Sequence, residues 1–390
     1  VTPTGTVSGC QGNVFTVTVT VQPEPVGVTN TATVCSDVAP GAGVTLATTG
    51  TSVSAATYTI AVNSNSLTQS SGTNSVGAGK AANELIDDAW TNTTGGNVNV
   101  IYTVTPISSS GCAGTPFTVT VTVQPEPVGA NDLATAICSD TQTGYTLAVA
   151  GATTYTISTN SNGLVQSNGS ISAGSGKLAA ELFDDQWTNT TLADVNVVYT
   201  ITPVTGSCSG NAFTVTIPIR PEPLGVNDVR TICSNSSVNY DLQVTNIDGP
   251  GNDMASNFVW VAADNPNVSG ESLTNQTTGT ISNTLVNVTS VNQVVVYTVT
   301  PTGTVSGCQG NVFTVTITVL PEPVMSSTLD KTICSDAITG ITMATNGTSV
   351  AAADYTINNI TVPGGLIAAG TNASTGSSKP ANAIINDVFT

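Results

Sequence analysis

Four times in 390 residues the chain returns to one phrase. Each time a strand ending in Thr-Pro is followed by a Cys-Gly turn and then by the run FTVTVTV or a close variant. The prolines of that phrase are Pro3, Pro106, Pro203 and Pro301, spaced by 103, 97 and 98 residues. A period near one hundred residues is a small domain, so the chain must fold as a string of like domains. The copies are close enough that VTPTGTVSGCQGNVFTVT at 1–18 recurs unchanged at 299–316. Each copy ends in Pro-Glu-Pro, at Pro23 and Pro25, Pro125 and Pro127, Pro221 and Pro223, and Pro321 and Pro323. Each then resumes with TVCSD, AICSD, TICSN or TICSD.

Inside a copy the pattern is that of strands. FTVTVTV alternates apolar and Thr residues at period two, which places one face in a core and the other in water. YTVTP alternates likewise, so the pair reads as a hairpin with a long Gly-containing loop. VTLAT and ATYTIAV supply further strands upstream, and GKAANELIDDAW at 79–90 offers a helical turn or two at most. About seven short strands in some hundred residues predict an all-β chain of tandem Ig-like β-sandwich domains in a linear array. Proline donates no amide to a ladder, so Pro-Glu-Pro reads as a short, stiff linker between domains.

The expected units are 26–127, 128–223 and 224–323, each whole. Residues 1–25 hold only the last hairpin of a unit, and 324–390 hold a unit lacking that hairpin. The two ends are therefore complementary halves. They fit a length of a longer array, or a subunit whose N-terminal strands fill the open groove of a neighbour's last domain. In both cases the expected partners are copies of the chain or further repeats, joined head to tail.

Composition narrows the function. Six basic residues face 24 acidic ones, and charged residues are only 8% of the chain. That balance gives no basic surface for nucleic acid or an anionic membrane. No apolar stretch reaches the length of a membrane span. The first residues carry neither the basic nor the apolar part of an export signal.

Eight cysteines occupy two fixed places: the hairpin loop (Cys10, Cys112, Cys208, Cys308) and the end of the first strand (Cys35, Cys138, Cys233, Cys334). An even number, no CxxC spacing and no histidine favour disulfides over a metal site, and disulfides imply an oxidising compartment. The preferred pairing lies within each unit: Cys35–Cys112, Cys138–Cys208 and Cys233–Cys308, with Cys10 and Cys334 as partners across the split unit. The alternative joins neighbours across Pro-Glu-Pro, such as Cys112–Cys138, and needs the chain to fold back there.

TICSD, YTVTP, GCxG and FTVTVTVxPxP together resemble the tandem PKD-like or Ig-like repeats of large secreted bacterial surface proteins, such as Bacteroidota-type adhesins and filaments. The resemblance covers the whole chain and implies β-sandwiches in an extracellular stalk. It departs from PKD proper in lacking a WDFGDG-like signature; a Trp remains in NFVWVAADN at 257–265.

Catalysis finds no footing. Without histidine, a Ser-His-Asp or Cys-His arrangement cannot form. The glycines of SVGAGKAAN lack the spacing of a phosphate loop. The acidic pairs Asp87–Asp88 and Asp184–Asp185 are weak calcium candidates, with solvated turns as the plainer reading. They align with Val286–Asn287 in the third unit, so a required site is not repeated, and no cofactor is expected. Lys80 reads as a local ion pair with Glu84 at i,i+4 or with Asp88, and Trp90, Trp187, Tyr102, Tyr199 and Tyr297 read as core. Asn92 and Asn189 each open an N-glycosylation pattern. The expectation is a structural, non-enzymatic protein of the cell surface: a shaft of an extracellular filament, fibre or adhesin stalk. The alternative is an adhesin binding glycan or protein, with the divergent stretch 246–276 as its contact.

Overall fold

The computed structural model describes residues 1–170 and 172–390. The first whole unit contains β1 (Asn30–Cys35), β2 (Ala55–Asn63), β3 (Thr68–Ser71), β4 (Gly77–Lys80), β5 (Ala89–Thr91), β6 (Val98–Ser108) and β7 (Phe117–Gln124). Its main sheet runs β1-β7-β6-β2-β4, and β3 pairs with β5 opposite it. All the ladders are antiparallel except β1–β7, which is parallel and in register from Asn30–Val119 to Cys35–Gln124. Along β7 the residues Phe117, Val119, Val121 and Val123 point into the core while the threonines between them are more exposed. The core lies between β6 and β7 and a lid formed by Val44, Leu46, Leu67, Leu85 and Trp90. The GKAANELIDDAW stretch begins in β4, turns over 82–87 and ends in β5, with no helix. Leu85 is its buried anchor.

The second unit repeats this plan, with 213–220 between 195–205 and a broken edge strand, Asp132–Leu133 and Ile137–Cys138. In the third unit the same parallel pair is Asp228–Cys233 with Phe313–Leu320. A glycine fixes how each unit begins. A Cβ on Gly27, Gly129 or Gly225 would sit within about 2 Å of the ring of Phe117, Phe213 or Phe313. These glycines let the backbone lie flat against the first aromatic of the last strand.

The ends of the chain behave otherwise. Residues 324–390 form only two-stranded pieces, Tyr355–Ile357 with Gly376–Lys379 and Ala368–Ala369 with Val388–Phe389. Residues 329–334, the counterpart of β1, form no strand, and no counterpart of β7 lies within 324–390. The expected hairpin at 1–22 is likewise not formed as a pair of strands: its arms are joined by a bridge between Thr4 and Gln11 and by a reciprocal pair of bonds between Val1 and Phe15.

Candidate functional site: the joints between units

The parallel pairing of β1 and β7 carries Cys35 to the end of the unit where the chain leaves, beside Gln124. The hairpin loop with Cys112 joins the other end of β7, a strand of eight residues or about 26 Å. Cysteines held at opposite poles of a sandwich cannot bond to one another. They bond to the neighbours instead: Cys35 to Cys208 and Cys138 to Cys308. The structure thus replaces both expected schemes, the intra-unit pairs Cys35–Cys112, Cys138–Cys208 and Cys233–Cys308 and the bridges across Pro-Glu-Pro. The first-strand cysteine of one unit joins the loop cysteine of the next, and a disulfide crosses each of these two joints alongside the backbone. Cys10, Cys112, Cys233 and Cys334 carry free thiols, so the Cys10–Cys334 pair expected across the split unit is not formed either.

The residues around each bond are built for this placement. Asp37 and Asp140 follow the first-strand Cys-Ser at φ 59° and 56°, the left-handed region that Asp and Asn adopt more readily than other side chains. The turn lets Ser36 Oγ accept the Asn92 amide at 2.8 Å while Asp37 Oδ1 accepts from Thr91 at 2.6 Å. Ser139, Asn189, Asp140 and Thr188 repeat these contacts. Pro-Glu-Pro is no free linker. The Glu126 and Glu222 amides donate to the Asn92 and Asn189 carbonyls, and both glutamate residues are buried. On the far side, the glycine two residues after the loop cysteine of each whole unit meets the proline preceding that unit. A Cβ on Gly114, Gly210 or Gly310 would fall within 2 Å of the carbonyl oxygen of Pro25, Pro127 or Pro223. This contact seats the loop cysteine at the entry pole.

Comparison with known families meets the same periodicity. A family model described as a PKD-like domain matches residues 32–127, 135–223 and 230–323, and each match ends on the second proline of a Pro-Glu-Pro. The chain belongs to the PKD-like domain family. Among curated proteins none matches it. Among solved structures it is similar to the human desmocollin-1 ectodomain at 10% identity, covering 84% of this chain and 67% of that one, with a TM-score of 0.28. A titin I-band fragment, I67–I69, matches at 11% identity over 76% of this chain and 96% of the fragment, with a TM-score of 0.28. Protocadherin gamma B2 cadherin domains 3–6 match at 9% identity, covering 94% and 91%, with a TM-score of 0.23.

At the joints of the PKD-like units two carboxyl groups meet. Burial pushes the Glu222 pKa up to about 7, helped by the charge of Asp140 and a hydrogen bond to it. Burial also works to raise Asp140, but hydrogen bonds from Ser167, Thr188 and Glu222 together hold it below its ordinary value. One proton is thus shared with Glu222 as its holder. Glu126 is raised in the same way, by burial and then by Asp37. From sequence alone these glutamates read as linker residues. Their repetition between two prolines was the available signal.

One aspartate of each acidic pair sits in a buried hydrogen-bond network rather than in a solvated turn. Asp88 is buried and accepts from Gln69 at 2.9 Å, Ser75 at 2.8 Å and the Tyr102 hydroxyl at 2.8 Å, and Trp90 Nε1 donates to that hydroxyl at 2.9 Å. Asp185 holds Gln166, Ser172 and Tyr199 in the same way. Burial raises the pKa of both aspartates. Every group reaching these carboxylates is a proton donor, so they knit the lid to β6; Asp87 is exposed and Asp184 half-buried. Among the described residues no cluster of three or more His, Cys, Asp or Glu forms a metal cage. The third unit keeps the network without charge, since the Tyr297 hydroxyl donates to Asn283 at 3.0 Å. Asn283 is therefore the counterpart of Asp88, and the alignment of Val286–Asn287 with the acidic pair is corrected by four residues. Asn287 corresponds instead to Asn92, with the same bonds to a strand carbonyl and to a Thr two residues on.

Asn92 and Asn189 are 0% exposed, and their side-chain amides donate to the Val123 and Ile219 carbonyls at 2.7 Å. A glycan has no room on either, which overturns their reading as acceptors. Lys80 pairs with Glu84 at 3.0 Å, as expected. In the stretch 246–276, Asn252 reaches across a joint to donate to Thr190 and Glu222 carbonyls of the preceding unit at 2.9 and 2.8 Å.

Proposed function

We propose that the chain is a load-bearing length of an extracellular shaft, in which PKD-like units repeat head to tail and each joint is tied twice. The observation that carries this reading is the pair of disulfides that skip from one unit to the next. A disulfide within a unit protects that unit alone. A disulfide across a joint gives the array a second covalent path, so one broken backbone does not part it. Buried Pro-Glu-Pro segments and the Asn252 contacts limit bending at the same places. Disulfides and few lysines suit exposure outside a cell. The adhesin reading has less support, because the divergent stretch 246–276 that would carry it is partly engaged in bracing a joint.

The test is a deliberate cut. A specific protease site is placed between Thr135 and Ala136, in the interruption of the second unit's edge strand. After cleavage, one species is expected on a denaturing gel without reductant and two after reduction. Separation without reductant sinks the doubly tied shaft.

A further inference from the structure

The two disulfides obey one rule: the cysteine ending a unit's first strand bonds to the loop cysteine of the following unit's hairpin. Applied to the four free thiols, the rule assigns each a neighbour. Cys233 ends the first strand of the third unit, opposite Leu320 as Cys35 is opposite Gln124. It therefore takes the loop cysteine of the next unit, which is 324–390, the unit without a hairpin. Cys112 is a loop cysteine and takes the first-strand cysteine of the unit before it.

A second observation shows what seats on 324–390. That unit has an apolar groove of about 330 Å³ lined by Met343, Ile357, Ile360, Ile384 and Phe389, with Asp387 at its wall. Ile357 faces Gly376 as Ile60 faces Gly77, so the two are counterparts, and Ile60 pairs beside Val104 of β6 and lies buried in the core that β6 and β7 complete. Asp387 corresponds to Asp88, the acceptor of the Tyr102 hydroxyl. The groove therefore wants the strand that carries this tyrosine, together with the strand after it. Residues 1–22 correspond to 299–320 and contain no counterpart of 293–298, the stretch that holds Tyr297 and pairs with 314–319. Residues 1–22 alone therefore supply the second of these strands and not the one that carries the tyrosine.

Building on the joint reading above, we propose that Cys112 and Cys233 are joint cysteines of two further inter-unit disulfides. The occupant that completes the bond to Cys233 is a whole hairpin of this repeat, both strands included, seated on 324–390. Bond formation removes two protons and two electrons from two thiols. A small disulfide such as oxidised glutathione takes them and leaves as two thiols.

The experiment appends a copy of residues 92–127 after Thr390, which aligns with Thr91, and refolds the full chain in a glutathione redox buffer. Peptide mapping without reduction reads the bonds, and hydrogen exchange reads closure of 324–390. The expected result is a bond from Cys233 to the loop cysteine of the added segment, with exchange over 329–334 slowed about a hundredfold or more. No added protection in 324–390 overturns the occupant. Protection with Cys233 still open to alkylation overturns the pairing rule. A Cys10–Cys233 bond between two copies of the unextended chain, formed under the same conditions, overturns the requirement for a whole hairpin. The cut at Thr135 tests the shaft independently, since it involves neither Cys233 nor the added segment.

Discussion

At the scale of single residues, two buried acids set what each unit tolerates. Tyr199→Phe removes the donor to Asp185 and the acceptor for Trp187 in one step, leaving buried partners unpaired. A loss of about 1–3 kcal/mol in the second unit is expected, read from the urea midpoint of Trp187 fluorescence. Glu222 acts through pH. In the folded chain it keeps its proton up to about 7, whereas unfolded it gives the proton up near 4.5. The folded state thus binds more protons across that window, so the contribution is full below pH 4.5 and falls as pH rises to about 7. Hydrogen exchange at the second joint should accelerate from pH 5 to pH 8, after correction for the intrinsic rate. Glu222→Gln keeps a donor beside Asp140 and should flatten that dependence; an equally steep profile in the variant would assign it elsewhere.

At the scale of elements, one sequence takes two structures. FTVTVTVQ occurs at 15–22 and at 117–124. At 117–124 it is β7, and Val121 is 1% exposed; at 15–22 it forms no strand, and Val19 is 78% exposed. Alternation specifies which face is apolar, but a strand needs a partner ladder on its edges and a core under its face. Burying a Phe or Val is worth roughly 1.5–3 kcal/mol each, which 117–124 gains from its own unit's core. The seat of the loop is equally local. Gly210→Ala places a methyl 1.8 Å from the Pro127 carbonyl oxygen, so the loop must shift. About 1–3 kcal/mol of destabilisation is expected, with a slower yield of the Cys35–Cys208 bond on refolding, followed by timed alkylation.

Across the whole molecule, stability is coupled from unit to unit by covalent bonds. Cys35 and Cys208 lie 173 residues apart, and closing so long a loop constrains the unfolded chain by about 5 kcal/mol in the chain-entropy model. Cys35→Ser should therefore lower the melting temperature of the first two units together and leave the third largely unchanged, as resolved by exchange during heating. A loss confined to the first unit would mean that the disulfide does not couple the units.

By itself the sequence determined the repeat, its period and its all-β character, because alternation and turn residues are local signals that survive in every copy. It also placed the ion pair of Lys80 with Glu84 and the aromatic core, which follow from spacing along one segment. It could not pair the cysteines. Their partners depend on which pole of a sandwich each occupies, and only the parallel register of β1 with β7 decides that. Nor could it tell the glutamates of Pro-Glu-Pro from solvated linker residues, or Asn92 from a glycan acceptor. Burial at a joint is created by the next unit, and burial beneath a strand by the far end of the same one; neither is written in the neighbouring letters.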